Sequence, residues 1–441
     1  MSNSKIISAI DVGSTKITTL IAQHFFQEEK TNIIGVCTIP AGGIRRGQIV
    51  NIEEATESII ESLEEAERMA GLSINKALIG ITAPHISSIN SSGVIAVSEP
   101  DKEITEIDIE RAIESAQAIT LPAGMEIIHV TPRQFIVDGQ EGIVDPKGMS
   151  GIRLEVETNI IIGSSPAIKN LSRCLKEVGI EIQQLIYSGL AAAESVLSET
   201  EKELGVILVD IGGTVTSVTV FLESSPCFVR VIPVGSKNIT NDIAVGLRLP
   251  LEEAEKLKIF LSRKSVSNKN LENKSPRNDR KQDEREEIDK NEIDLFKAGI
   301  SNQEGKIIAR DVAIDGIMKI RIEEIFNLVK DEIKESGFGG ATPAGIVITG
   351  GGAELSGIEK ICQRIIGLPV RIGQPKEMMG LVDEIMSPAY SSSLGLIEYA
   401  IKNKIESGQQ SYFKNTFSSV KKIKFRVLFQ KITEIVKSLL P

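Results

Sequence analysis

Short continuous apolar runs alternate along this chain with segments whose apolar residues recur every three or four positions. Two such periods in one chain predict an α/β fold. Residues 6–11 and 16–22 read as the strands of a hairpin, 32–37 as a third strand and 77–81 as a fourth. Between them, 52–70 has helical spacing, and Gly71 stands where a helix would end. From 84 to 162 the pattern changes to strands at 86–97, 126–137 and 153–162 with a helix at 107–119. Ile107, Ile109, Ala112, Ile113 and Ala116 would share one face of that helix. The segment reads as a small inserted α/β subdomain, serving core packing or partner contact.

A helix at 165–177, a strand at 179–186 and a helix at 189–198 lead into a second hairpin at 204–221. Residues 238–260 read as helical with a break near Pro250. Residues 262–292 carry nine Lys/Arg and eight Asp/Glu, which predicts a solvated, partly disordered loop. A long helical stretch, 306–334, is interrupted near Gly316, and 337–343 turns the chain toward a last apolar run.

The chemistry sits where the pattern repeats. Both hairpins place an Asp and small residues at the tip: Asp11-Val-Gly-Ser-Thr-Lys16 in the first and Asp210-Ile-Gly-Gly-Thr214 in the second. Gly13, Gly212 and Gly213 allow close backbone approach, while Ser14, Thr15 and Thr214 offer hydroxyls. Such tips suit phosphate, with the two carboxylates orienting hydrated magnesium. A third run, with Gly350, Gly351 and Gly352 after an apolar strand, lacks both the P-loop ending and a GxGxxG fingerprint. It suits a backbone surface under adenine, ribose or phosphate. A turn cap for either Asp, and a plain βα turn for the third run, are the structural alternatives.

Composition narrows the picture. At 441 residues there is room for two to four domains, and 41% hydrophobic content is enough for globular cores. A net charge of −10 and the absence of Trp argue against a nucleic-acid binder. Four scattered Cys read as reduced thiols, and three His form no zinc pattern. No apolar segment reads as a secretion signal or a span, which places the body in the cytoplasm.

The final segment has its own character. Between 420 and 440, Leu428, Ile432, Ile435, Val436 and Leu439 line one helical face, and Phe425 and Phe429 add apolar depth. Six Lys/Arg against Glu434 give a charge of +5. A helix of this kind lies in an anionic membrane surface or docks on a partner. A polar tether, 405–419, precedes it.

With these motifs, the chain resembles the actin-like ATPases and, within them, the FtsA family of bacterial cell-division proteins. The match rests on Ile10 to Lys16, the run Glu201-Lys-Glu-Leu-Gly205 leading to Val209–Gly213, Gly235–Ala244, Ala254–Lys258 and Gly350–Ser356. It covers nearly the whole chain outside 262–292. The resemblance implies a two-lobed actin-like, ribonuclease H-like fold binding ATP and Mg2+ between the lobes. Asp11 and Asp210 would face the metal, Lys16 would join the first phosphate motif, and Glu255 and Lys258 would lie beside the adenosine. It implies a first-lobe core at 1–83 and an insertion at 84–162 beside that lobe. A return at 163–200 includes the first connecting helix, and 201–237 is the second-lobe core. The outer subdomain is 238–305, followed by a return with the adenosine motif at 306–357. Residues 358–404 re-enter the first lobe, ahead of the tether and a membrane helix at 420–441.

The implied role is an ATP-binding protein that assembles on the cytoplasmic face of the inner membrane at the division septum. It would tether FtsZ filaments there and recruit later division proteins, with weak or regulatory ATPase activity. Glu194, on the first connecting helix, is the candidate for positioning the attacking water, although Ser188 and Gly189 stand where some relatives carry an acid. Arg310, Lys319 and Arg321 are the candidates for the acidic C-terminal peptide of FtsZ. A sugar kinase of the same superfamily, or a pilus-assembly ATP-binding protein, is the alternative.

Overall fold

The computed structural model describes residues 4–97, 103–268, 291–301, 305–381 and 385–405. Residues up to Tyr399 form one compact unit and those from Ala400 a second, of which residues through Ile405 are described. The predicted loop beyond 268, the tether and the membrane helix lie outside the described residues.

The first unit is built on one strand pattern used twice. Strands Ser4–Val12, Lys16–Phe25 and Lys30–Pro40 form an antiparallel meander, with Lys76–Ile81 and then Glu181–Tyr187 added parallel to its first strand. Val206–Ile211, Thr216–Leu222 and Ser225–Ile232 form the second meander, extended by Ile346–Thr349 and Val370–Ile372 in the same order. The register repeats too: Asp11 pairs with Gly80 and Asp210 with Thr349, each on the neighbouring parallel strand. The central strands are buried almost continuously, as expected where both sheet faces are covered.

Helix Ile52–Ala70 shows how local sequence sets an element. Asn51 accepts from the Glu53 and Glu54 amides, those acids sit in the first turn, and Gly71 closes the helix at φ 69°. Its Ala55, Ile59, Leu63 and Ala66 are buried, and buried Ser62 meets Thr19 Oγ1 at 2.8 Å.

The insertion forms Ser87–Ala96, Met125–Val137, Gln140–Ile143 and Arg153–Ser164, backed by helix Glu106–Gln117. Ile107 does not share the buried face, being 67% exposed; the helix packs its Ala112 and Ala116 side against Gly93, whose missing Cβ allows that approach. Rather than lying only beside the first lobe, the insertion continues the second sheet. Ser87 pairs with Arg230, Ser88 Oγ accepts from the Val229 amide, and Asn90 donates to the Cys227 carbonyl.

Two boundaries differ from the sequence reading. The helix that starts at Leu251 runs to Asn268: Ala254, Leu257 and Leu261 bury one face in the core, and Ser262 Oγ satisfies itself on the Lys258 carbonyl at 2.9 Å. The stretch from 306 opens as a strand, Ile307–Ala309, paired with Glu292–Asp294, before its helix. The interruption expected near Gly316 is there, as a π turn, Ile314–Met318, leading into Lys319–Ser336. A separate helix, Glu199–Leu204, was missed although Ser198 and Glu201 form a capping box legible in the sequence.

Candidate functional site

The two hairpin tips are made alike and meet. Gly13 N–H donates to the Lys16 carbonyl at 3.1 Å, and Gly212 N–H donates to the Val215 carbonyl at 2.9 Å. The tips touch: a Cβ on Gly213 would lie 2.3 Å from Thr15 Cγ2. Beneath them opens a cleft of about 1560 Å³. Asp11, Gly13, Ser14, Thr15 and Lys16 line one wall, with Asp210, Gly212 and Gly213 on the other. Glu255, Lys258, Gly350 and Gly351 line it as well.

The carboxylates at the floor are held by hydroxyls. Ser393 Oγ donates to Asp11 Oδ2 at 2.9 Å and Ser188 Oγ to Asp11 Oδ1 at 3.4 Å. Ser392 Oγ donates to Asp210 Oδ2 at 3.2 Å. Burial raises the Asp11 pKa. Burial, then the nearby Asp11 charge, pushes Asp210 up to about 6. Burial likewise draws the Lys16 ammonium down to about 8, against the pull of Asp11, Glu354 and Asp210. Its Nζ rests 3.3 Å from the centre of the Tyr390 ring. Two repelling acids beside an ammonium are a site that a divalent cation and a polyanion would relieve together.

At the outer end, Lys258 Nζ bonds Glu255 Oε2 at 2.8 Å, Thr240 Oγ1 at 2.9 Å and the Ser236 carbonyl at 3.4 Å. Thr240 Oγ1 also donates to Glu255. Gly350, at φ 81°, lets the third glycine run pass the second carboxylate; a Cβ there would fall 2.1 Å from Asp210 Oδ1. This is the left-handed backbone region where glycine is favoured.

Three candidate residues lie elsewhere. Gly352 is buried against Ile211, where a Cβ would come within 2.3 Å of its Cγ2, so it is a packing glycine and not part of the cleft surface. Thr214 stays beneath its tip, with Oγ1 buried and without a hydrogen-bond partner. Glu194 is six residues beyond Ser188 on helix Ser188–Val196, about 9 Å along its axis. Its carboxylate takes the ammonium of buried Lys202 at 2.8 Å, and it does not line the cleft. That position differs from the one expected of a group that orients water at the phosphates.

The basic candidates of the second lobe also divide. Arg321 forms a bidentate bridge to Asp242, at 2.6 and 2.9 Å, and reaches Glu324. Lys319 pairs with Asp315 at 3.2 Å. Arg310 is half-buried at the start of its short helix. Sequence reasoning missed Ser392, Ser393 and Tyr390, whose only local signal was a hydroxyl-rich run before an apolar helix.

Comparison with known proteins decides the family. Residues 207–395 match the model described as "Cell division protein FtsA", and 83–162 match "SHS2 domain inserted in FTSA". The chain is 34% identical to the cell division protein FtsA of Pseudomonas aeruginosa over 94% of each chain. Against that of Bacillus subtilis it is 35% identical over 96% of this chain and 90% of the relative.

The chain belongs to the FtsA family.

A solved PilM–PilN type IV pilus biogenesis complex contains a chain similar in fold alone, at TM-score 0.60 and 15% identity, covering 90% of this chain and 98% of that one. The two-lobed architecture with an inserted subdomain is thus the actin-like fold of the FtsA family. Among the described residues, no helix is long and apolar enough to cross a membrane.

Proposed function

We propose that this FtsA-family chain binds ATP with magnesium in the cleft and links FtsZ filaments to the inner membrane at the division site. The carrying observation is the meeting of two matched tips over Asp11 and Asp210. The residues fit the ligand: Gly13, Gly212, Gly213 and Gly350 let the tips and the third glycine run close on one another at the cleft, where an added Cβ would strike Lys16, Val215, Thr15 and Asp210, and the two acids offer negative charge for a cation. Bound magnesium would bridge phosphate oxygens and neutralise their charge. Lys16 and the tips would hold the phosphates, and Glu255 and Lys258 would face the nucleoside. Hydrolysis is weak on this reading, since Glu194 is committed to Lys202.

The second lobe takes the acidic C-terminal peptide of FtsZ, with Arg310 the basic group left for it. The segment 420–440 seats its apolar face in anionic lipid, and self-association multiplies that weak anchor. Co-sedimentation with FtsZ filaments and with anionic vesicles, with and without Mg-ATP, tests the reading. Truncation after Ser419 is expected to abolish vesicle binding and spare ATP binding. Vesicle binding by the truncated protein would place attachment elsewhere. Phosphorylation of a sugar in the same preparation would favour a kinase.

A further inference from the structure

Resting on the reading of the cleft as a magnesium–nucleotide site, we infer that Ser392 and Ser393 are positioning residues for its two carboxylates, tying cation binding to the helix between the lobes. Neighbouring residues on a helix diverge by about 100°. Adjacent serines can therefore reach in two directions, and here they do. Ser392 Oγ donates to Asp210, on the second sheet, and Ser393 Oγ to Asp11, on the first. No other pair of adjacent residues among the described ones bonds both acids.

The helix carrying them is itself fixed. Ser391 Oγ lies 2.6 Å from Thr349 Oγ1, and the Ser391 carbonyl accepts from Ser195 Oγ at 2.7 Å. Gly395 faces Ala191 so closely that a Cβ would come 1.9 Å from its carbonyl oxygen. Helices Ser188–Val196 and Ser391–Lys402 are thus locked at their crossing, and the serines are held in place under the acids.

The serines matter because each donated bond fixes the rotation of its carboxylate, and a cation meets the pair in that one arrangement. Both acids line the cleft beside Ser188, which supplies the remaining, longer bond to Asp11. The Ser392 bond engages Asp210 Oδ2 and leaves Oδ1 toward Gly350. Hydrated magnesium would reach the carboxylates through its waters, so its seating depends on the orientation that the connecting helix imposes.

The test uses the full chain near neutral pH, with ATP affinity titrated against Mg2+, and with EDTA as the metal-free arm. The S392A/S393A double variant is expected to lose about tenfold in the Mg2+-dependent part of ATP affinity. Affinity in EDTA should match wild type. S392T, which keeps the hydroxyl at the half-buried position, should retain the wild-type Mg2+ dependence, and S393A alone should lose part of it. A Mg2+ dependence of S393A and the double variant superimposable on wild type overturns the inference while leaving the cleft reading intact. Absence of Mg-ATP binding by wild type itself would remove both.

Discussion

The ammonium of Lys202 lies 2.8 Å from the Glu194 carboxylate, with the lysine side chain 1% exposed. A second acid, Glu199, approaches at 3.5 Å from the solvent side. This pair anchors the end of one connecting helix to the next helix and holds Glu194 off the cleft lining. Removing one partner of a buried pair strands the other charge. E194A should therefore cost about 3–5 kcal/mol of stability, softened toward the lower figure by Glu199. ATP affinity of the folded variant should be unchanged. Urea unfolding together with nucleotide titration checks both halves, and a selective loss of ATPase rate without destabilisation would restore Glu194 to the site.

Adjacent glycines should respond differently to the same added methyl. At Gly350 a Cβ strikes Asp210 Oδ1 on a left-handed backbone, whereas at Gly351 the nearest atom is Ala389 Cβ at 3.8 Å. G350A is expected to lower the melting temperature of the nucleotide-free protein clearly, by more than about 1–2 kcal/mol in stability. G351A should melt near wild type. Equal melting of the two variants would contradict the assigned path of the third glycine run.

Asp210 gives a pH signature. Its folded-state pKa of about 6 lies above the ordinary value of 3.8. Between those values the folded protein holds a proton that the unfolded chain has released, so stability falls as pH rises through the window. The total is at most about 3 kcal/mol. D210N removes this contribution. Without metal or nucleotide, the variant should gain on wild type between pH 4.5 and 7, as read by denaturant midpoints. A constant difference across that range would show that the carboxyl is not desolvated.

The two arginines of the second lobe should separate binding from folding. R321A removes a bidentate bridge to Asp242 and should cost about 1–3 kcal/mol of stability. R310E should leave stability nearly unchanged and weaken binding of an acidic FtsZ C-terminal peptide, about tenfold if the two charges meet directly. Fluorescence anisotropy of the labelled peptide, beside thermal melting, distinguishes them. Undiminished peptide affinity in R310E would move the interface elsewhere.

Much of this arrangement was legible in local sequence. The hairpin tips, the capped helix ending at Gly71 and the break at Pro250 each depend on residues within a few positions of one another. Burial periodicity, cap chemistry and turn glycines act over that range, so the chain alone determined them. Asp11, Asp210 and Gly350 could be named because each stands at a marked strand end. Tertiary structure decided which groups complete them. Ser393 reaches Asp11 across 382 positions, and Arg371 reaches Glu201 across 170. The outward turn of Ile107 and the capture of Glu194 by Lys202 depend equally on what each helix packs against. No local period encodes such meetings. They follow from the packing of two sheets around two crossing helices, whose close contact at Gly395 and Ala191 sets where Ser392 and Ser393 stand under the acids.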